Sequence, residues 1–293
     1  MSGEADRPPP VRPATARART QVADSDAGAP PTSVELQAIE WERTRWVRLL
    51  GASVERDDAL CVAWSTHPGR GAGLNFASCV RWPDADVPAR LAQVESRMRA
   101  AGVWPQVVVS EGLTQPRDLA EQLRAVGWVP LGSERLMWTR HPSVVPHLDP
   151  GLRIEAVTPA TALECARLES DAFGLDVRAI EESAEHLCHA VSSGQTRAFL
   201  VRLAGEAIAS ARLVPGEPGS AIASLHAVGV AERHRRRGYG RLITAIATRA
   251  GLATGHKLVW LSVDADNAGA IAMYRGLAFD FTFSWARWAA PAR

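Results

Sequence analysis

Between Val228 and Leu242 the chain reads VGVAERHRRRGYGRL. An apolar run through Val228, Gly229 and Val230 stops, a charged turn follows, and a helical pattern begins near Gly238. The start of a helix leaves backbone N–H groups without intrahelical acceptors and carries the positive end of the helix dipole. Gly238 and Gly240 have no side chains, so an anion can approach that backbone closely. Arg235, Arg236 and Arg237 surround the point with guanidinium donors, and Tyr239 sits inside the same turn. This arrangement fits a diphosphate. It is not a nucleotide-triphosphate loop, because no GK[ST] follows, and it is not a GxGxxG dinucleotide turn. Taken alone, the basic run also reads as a solvated turn or a nucleic-acid patch.

The elements that must position this loop come from the rest of the 293 residues, a length sufficient for two domains. Charged residues make up 22% and hydrophobic residues 46%, a globular composition. With a net charge of +1 the molecule as a whole is no electrostatic trap for nucleic acid or anionic lipid. No apolar run approaches the roughly 20 residues that span a bilayer, so no membrane association is expected. Cys61, Cys79, Cys165 and Cys188 are scattered without a CxxC pair, which argues against a metal site or a disulfide framework and for a cytoplasmic location. Residues 1–33, rich in proline and arginine, are expected to be a disordered tail without a signal-peptide core.

Three prolines within residues 141–150 (HPSVVPHLDP) mark a linker. After it, periodicity predicts strands at 152–157, 196–203, 207–214, 221–230, 257–263 and 279–288. Helices are predicted from a Thr158 cap to about 173, at 178–191, from Gly238 to Ala250 with Gly251 ending it, and at 267–277. The order β-α-α-β-β-β-α-β-α-β places the chain in the α/β class with an α+β mixed sheet. Before the linker, helices are predicted at 34–50, 87–101 and 116–126, and strands at 59–65, 74–82 (which includes Trp82), 107–110 and 131–139, with a glycine-rich turn at 67–73. Segments 123–128 (LRAVGW) and 274–279 (YRGLAF) both end a helix and lead into a last strand containing Trp. The halves therefore read as tandem copies of one fold: 34–140 and 151–293, joined by 141–150.

Arg235-x-x-Gly238-x-Gly240, with Val230 five residues upstream, resembles the [QR]xxGx[GA] signature of the GNAT superfamily of acyl-CoA-dependent N-acyltransferases. A strand at 258–263, then Asn267, Tyr274 and Phe279, follow in the family's order, and Ala278 departs from its usual Gly. The resemblance covers residues 151–288. It implies acetyl-CoA as acyl donor, an amine as acceptor and no metal. It implies Val228, Gly229 and Val230 along the pantetheine arm, beside a strand bulge with which Gly229 is compatible. It implies the diphosphate on Arg235 to Gly240, Asn267 on the cofactor or its local turn, and Tyr274 as the acid that protonates the leaving thiolate. Where many members carry a glutamate base this chain has Ser224. His226 shares that strand face and titrates near neutral pH, so it is the candidate base. Glu169 and Asp171 read as substrate contacts or solvent-facing charges. The N-terminal copy has Pro83-Asp-Ala-Asp86 in place of the loop and Leu123 in place of Tyr274, and so is expected to be degenerate. A longer acyl donor, a hydroxyl acceptor, a non-catalytic acyl-CoA sensor and homodimerisation are left open.

Overall fold

Thr32 opens the first helix, α1 (Ser33–Leu49), with a capping box: its hydroxyl accepts from the Glu35 N–H while the Glu35 carboxylate accepts from the Thr32 N–H. The computed structural model describes residues 28–66, 72–145 and 150–292. Most of the expected tail, most of the turn at 67–73 and part of the 141–150 linker thus lie outside the described residues.

The first half continues with β1 (Ser53–Arg56), β2 (Cys61–Trp64), β3 (Phe76–Ser78), α2 (Val87–Ala100), β4 (Gln106–Ser110), α3 (Leu119–Ala125) and β5 (Val129–Thr139). The second contains β6 (Leu152–Ala156), α4 (Ala162–Phe173), α5 (Ile180–Ser192), β7 (Arg197–Leu203), β8 (Glu206–Pro215) and β9 (Ile222–Val230). It ends with α6 (Tyr239–Ala253), β10 (Leu258–Asp264), α7 (Ala268–Arg275) and β11 (Asp280–Ala289).

Four local expectations need correction. β1 has no counterpart in the sequence reading; it is short and mostly exposed, so its side chains do not alternate in polarity. β3 keeps only three residues because Cys79 turns to φ +56°, and Trp82 falls outside the strand. The third helix starts at Leu119, not at Pro116. α6 passes through Gly251 to Ala253. That glycine serves packing, since a Cβ there would lie 3.0 Å from Val259 Cγ2 and 3.1 Å from Leu213 Cδ1.

Among the described residues eleven strands form one sheet, in the order β1-β2-β3-β4-β11-β5-β10-β9-β8-β7-β6. The last strands of the two halves have changed places. β11 pairs antiparallel with β4 of the first half, while β5 of the first half pairs antiparallel with β10 of the second. β5 and β11 then pair with each other. One hydrophobic cluster joins the halves, with Ile39, Phe76 and Trp138 meeting Ile222, Trp260 and Trp285. Full burial of each such side chain contributes about 1.5–3 kcal/mol.

The paired segments 123–128 and 274–279 close in the same way. Trp128 N–H donates to Leu123 O at 2.9 Å, and Phe279 N–H to Tyr274 O at 3.0 Å. The residue before each aromatic is left-handed, Gly127 at φ +85° and Ala278 at φ +62°. This is the Schellman closure of a helix C-terminus. Ala278 holds it without glycine's freedom, at a cost of about 1 kcal/mol.

Candidate active site

β9 and β10 run parallel and pair only at Ile222–Leu258, Ala223–Val259 and Ser224–Trp260. Beyond that point they diverge and a cleft of about 840 Å³ opens between them. On the other side of β9 the register against β8 shifts between the Ser210–Gly229 and Arg212–His226 pairs. One residue of β8 therefore faces two of β9, which defines a bulge at Ala227 and Val228, with Ala227 at φ +50°. Gly229 is not the bulged residue. Its hydrogen is required by close packing, because a Cβ would come within 2.9 Å of Ala172 Cβ and 3.2 Å of Phe173 Cε2 at the end of α4. The outer half of β9 thus presents peptide groups to the cleft with no strand beside them, and Val228, Gly229 and Val230 line it. Unpaired strand edges of this kind accept amide-rich partners.

The N-terminus of α6 lies at the mouth of the cleft. Gly238 is its N-cap, left-handed at φ +86°, and no side chain caps it. Arg236 is also left-handed, at φ +64°. Successive residues of alternating hand turn their N–H groups towards one point and form an anion-binding concavity. A Cβ on Gly238 would meet nothing within 4 Å, so that position is open to a ligand. Gly240 differs: a Cβ there would meet Met273 Sδ at 3.3 Å, so its small size lets α6 approach α7.

The three arginines are not equivalent. The Arg235 guanidinium donates to Val230 O at 3.3 Å and to Ala172 O at 2.8 Å, which braces the loop against α4. Arg236 is exposed and lines the cleft. Arg237 is exposed but is not among the lining residues, so the structure does not bring it to the site. Tyr239 is buried in the core of the second half, leaving its backbone as the part that faces the loop.

Tyr274, on α7, lines the cleft and is otherwise buried, its ring 5.9 Å from that of Phe279. Burial pushes its hydroxyl up to about 12, so it holds its proton at neutral pH. Asn267 is the N-cap of α7 and its Oδ1 accepts from Ala270 N at 3.1 Å, while the residue also borders the cleft. Of the two assignments the sequence allows, this bond is to the local turn.

His226 lies at the inner end of the cleft. Its ring stacks on Trp46 of α1 at 4.2 Å, meets Trp260 edge-on at 5.7 Å, and places Nε2 2.9 Å from Ser224 Oγ. Burial lowers its pKa to about 3; Glu134 opposes the shift, while Arg212 and Arg43 reinforce it. The ring is therefore neutral at physiological pH but a weak base, which departs from the expectation of a base titrating near neutrality. Glu169 departs too. It is buried and forms a two-pronged ion pair with buried Arg212, one prong 2.7 Å long. Asp171 accepts from the Glu232 N–H at 3.3 Å.

The carboxylate at this end of the cleft is Glu134, which sequence reading missed. It lies on β5, in the half expected to be inert, and reaches the cleft only because β5 is paired with β10, where Glu134 stands opposite Asp264. Burial alone would raise its pKa, but the guanidinium of Arg43, 3.3 Å away, together with Ser262 and Trp285, holds it below the usual carboxylate value. No local motif marks Glu134. The only available signal was the charged pair Glu134-Arg135 inside a predicted strand. Among the described residues no group of three His, Cys, Asp or Glu side chains is placed to hold a metal ion.

Residues 163–279 match the acetyltransferase (GNAT) family model. No curated protein matches the chain by sequence. Among solved structures, a GCN5-related N-acetyltransferase from Kribbella flavida superposes with a TM-score of 0.67 at 20% identity, over 87% of this chain and 96% of that one. A tandem GNAT protein from the clavulanic acid biosynthesis pathway gives 0.58 at 19% identity, over 87% and 98%. A GCN5-related N-acetyltransferase from Sphaerobacter thermophilus gives 0.58 at 14% identity, over 89% and 93%. Likeness at these identities speaks for the fold, across both halves of the chain. Residues 163–279, the segment that holds the loop, most of the cleft lining and Tyr274, thus match the acetyltransferase (GNAT) family model, and the likeness of fold extends across both halves.

Proposed function

We propose that the chain is an N-acetyltransferase that moves the acetyl group of acetyl-CoA to an amine, with a single active site in the second half. The observation that carries this reading is the parting of β9 from β10, with a helix N-terminus that no side chain caps at its mouth and Tyr274 among its lining residues. Backbone N–H groups around Arg236 and Gly238 take the diphosphate, with Arg236 as the nearest cation. The free edge of β9 pairs with the amides of the pantetheine arm. The His226 ring, backed by Trp46 and Trp260, closes the inner end of the cleft and favours a short acyl group.

In the reaction the amine nitrogen forms a bond to the thioester carbonyl carbon, and the carbon–sulfur bond breaks. Glu134, a carboxylate at neutral pH, receives the proton that the amine loses. Tyr274 donates its proton to the departing thiolate and recovers one from solvent. The products are an amide and the free thiol of CoA. A division into a first domain at 34–140, a linker at 141–150 and a catalytic domain at 151–293 accords with the single loop, but Glu134 makes the site a joint product of both halves. The cytoplasm is the compartment we assign, on the free state of all four cysteines.

The test is incubation of the purified chain with acetyl-CoA and a panel of amines, reading free thiol and acylated product. Release of thiol that depends on an amine supports the reading. Binding of acetyl-CoA without turnover on any amine or alcohol would make the chain an acyl-CoA-binding sensor.

A further inference from the structure

A second cavity, of about 480 Å³, adjoins the cleft and shares Glu134 and Asp264 with it. The rest of its charged lining is Arg43, Asp266 and Arg287. It exists because of the strand exchange, since Glu134 and Arg287 sit on the two exchanged strands and Arg43 reaches in from α1.

Arg43 is the unusual residue. It is 7% exposed, and its Nη2 lies 3.3 Å from Glu134 Oε1, but its Nη1 is buried with no hydrogen-bond partner. A buried guanidinium with one arm unmatched is costly unless a ligand completes it. Aromatic faces fix its plane, with Trp285 at 4.3 Å and Phe76 at 4.8 Å from its central carbon. The Arg287 guanidinium carbon lies 5.5 Å from the same Phe76 ring. The two cations are close enough to disfavour each other. Burial first, and Arg43 second, push Arg287 down to about 10. Exposed Asp264 and Asp266 and the half-buried Glu134 line the same space.

The two guanidiniums lie against aromatic rings, Glu134 meets Arg43 where the cavity joins the cleft, and Asp264 and Asp266 are exposed, so the space offers both a carboxylate and unmatched guanidinium N–H. An anion without an amine would face three carboxylates. A plain amine would leave Arg43 Nη1 unmatched. We propose that the acceptor is a small amino acid, with its amine on Glu134 and its carboxylate on Arg43 and Arg287. Arginine suits this task because its fork meets both carboxylate oxygens. The inference rests on the proposed acetyl transfer at the neighbouring cleft and names the substrate class for it.

The experiment uses the full chain, acetyl-CoA and a panel of α-, β- and γ-amino acids, each matched with the amine that lacks the carboxylate. CoA affinity is measured in parallel. The expected result is at least one amino acid acetylated with a kcat/KM 100-fold or more above that of its matched amine. Arg43→Gln and Arg287→Gln should each reduce that preference tenfold or more, mainly through KM for the amino acid. Arg287 is the less buried of the two, so its variant keeps the test valid if Arg43→Gln fails to fold. Equal rates on amino acids and matched amines, or a preference that survives both substitutions, would overturn the inference while leaving the acetyl-transfer reading in place. CoA binding without turnover on any amino acid overturns it as well. Failure to bind CoA at all is the separate outcome that removes the acetyl-transfer reading.

Discussion

The two halves repeat one fold up to the point where chemistry begins. In the second half, β9 and β10 pair at three positions and then part, and among the described residues no strand pairs into the gap. In the first half, β3 and β4 also run parallel, pairing at Ala77–Val107. There the continuation is sealed by the chain itself. Gln115 forms a parallel bridge with Arg81, donates its N–H to Val80 O, and accepts from the Trp82 N–H, both at 3.0 Å. The helix starts differ in the same sense. α6 follows a left-handed, uncapped glycine among arginines. α2 follows a short turn at Asp84–Asp86 with Asp86 as its N-cap, so acidic residues stand beside that helix start in place of the arginines, although no side chain caps it. The first half thus differs from the second in two features: its strand edge is satisfied internally, and its helix start is flanked by acidic residues.

Expression of residues 151–293 alone is the most severe test of this contrast. Without β5, β10 loses a neighbour over six paired residues and the cleft loses Glu134. The expected outcome is no turnover and aggregation through the exposed edge; an active, soluble fragment would show that the first half is dispensable. Next in size, Gly238→Asp should remove detectable acetyl-CoA binding, since it places both a carboxylate and a strained left-handed residue at the anion point, and isothermal titration would read it. Tyr274→Phe and Glu134→Gln should each slow turnover about 100-fold while changing CoA affinity little, as loss of a proton donor or acceptor does. Unchanged turnover in either would remove that residue from proton transfer. The smallest effect is on stability. Because the folded protein keeps His226 neutral down to about pH 3, acid favours the unfolded chain once it can protonate this histidine. The His226 contribution is intact above about pH 6.5 and is lost progressively below it, by about 2 kcal/mol at pH 5. Thermal melts across that range should show the loss, and His226→Gln should flatten it.

Most of this site was legible because its motifs are local. Arg236, Gly238, Asn267 and Tyr274 lie within one strand–helix–strand–helix stretch, and backbone rules for helix starts and strand ends place them without knowledge of the sheet. The bulge was anticipated near Gly229, but it lies at Ala227 and Val228. Glycine in a strand signals either a bulge or a close neighbour, and only the packing of Ala172 and Phe173 decides which. Arg235, Arg236 and Arg237 are identical in type, so sequence could not separate the two that line the cleft, of which Arg235 also braces the loop, from the outward one. Glu134 and Arg43 were invisible for a different reason. Their position depends on which strand lies next to which, and strand order is not a local property.

The exchange of β5 and β11 also has a consequence in time. During synthesis β4 and β5 emerge long before Asp280–Ala289, the segment that must fill the space between them. The first half therefore leaves the ribosome with an open slot in its sheet, and it cannot close that slot on its own. Glu134 and Arg287 become neighbours only when the final strand enters. Chains stalled before residue 280 should accordingly be cut by protease within β4 and β5, and full-length chains should resist. The cavity lined by Glu134 and Arg287 is therefore complete only after β11 has been made, and its presence reports that translation has passed the end of that strand.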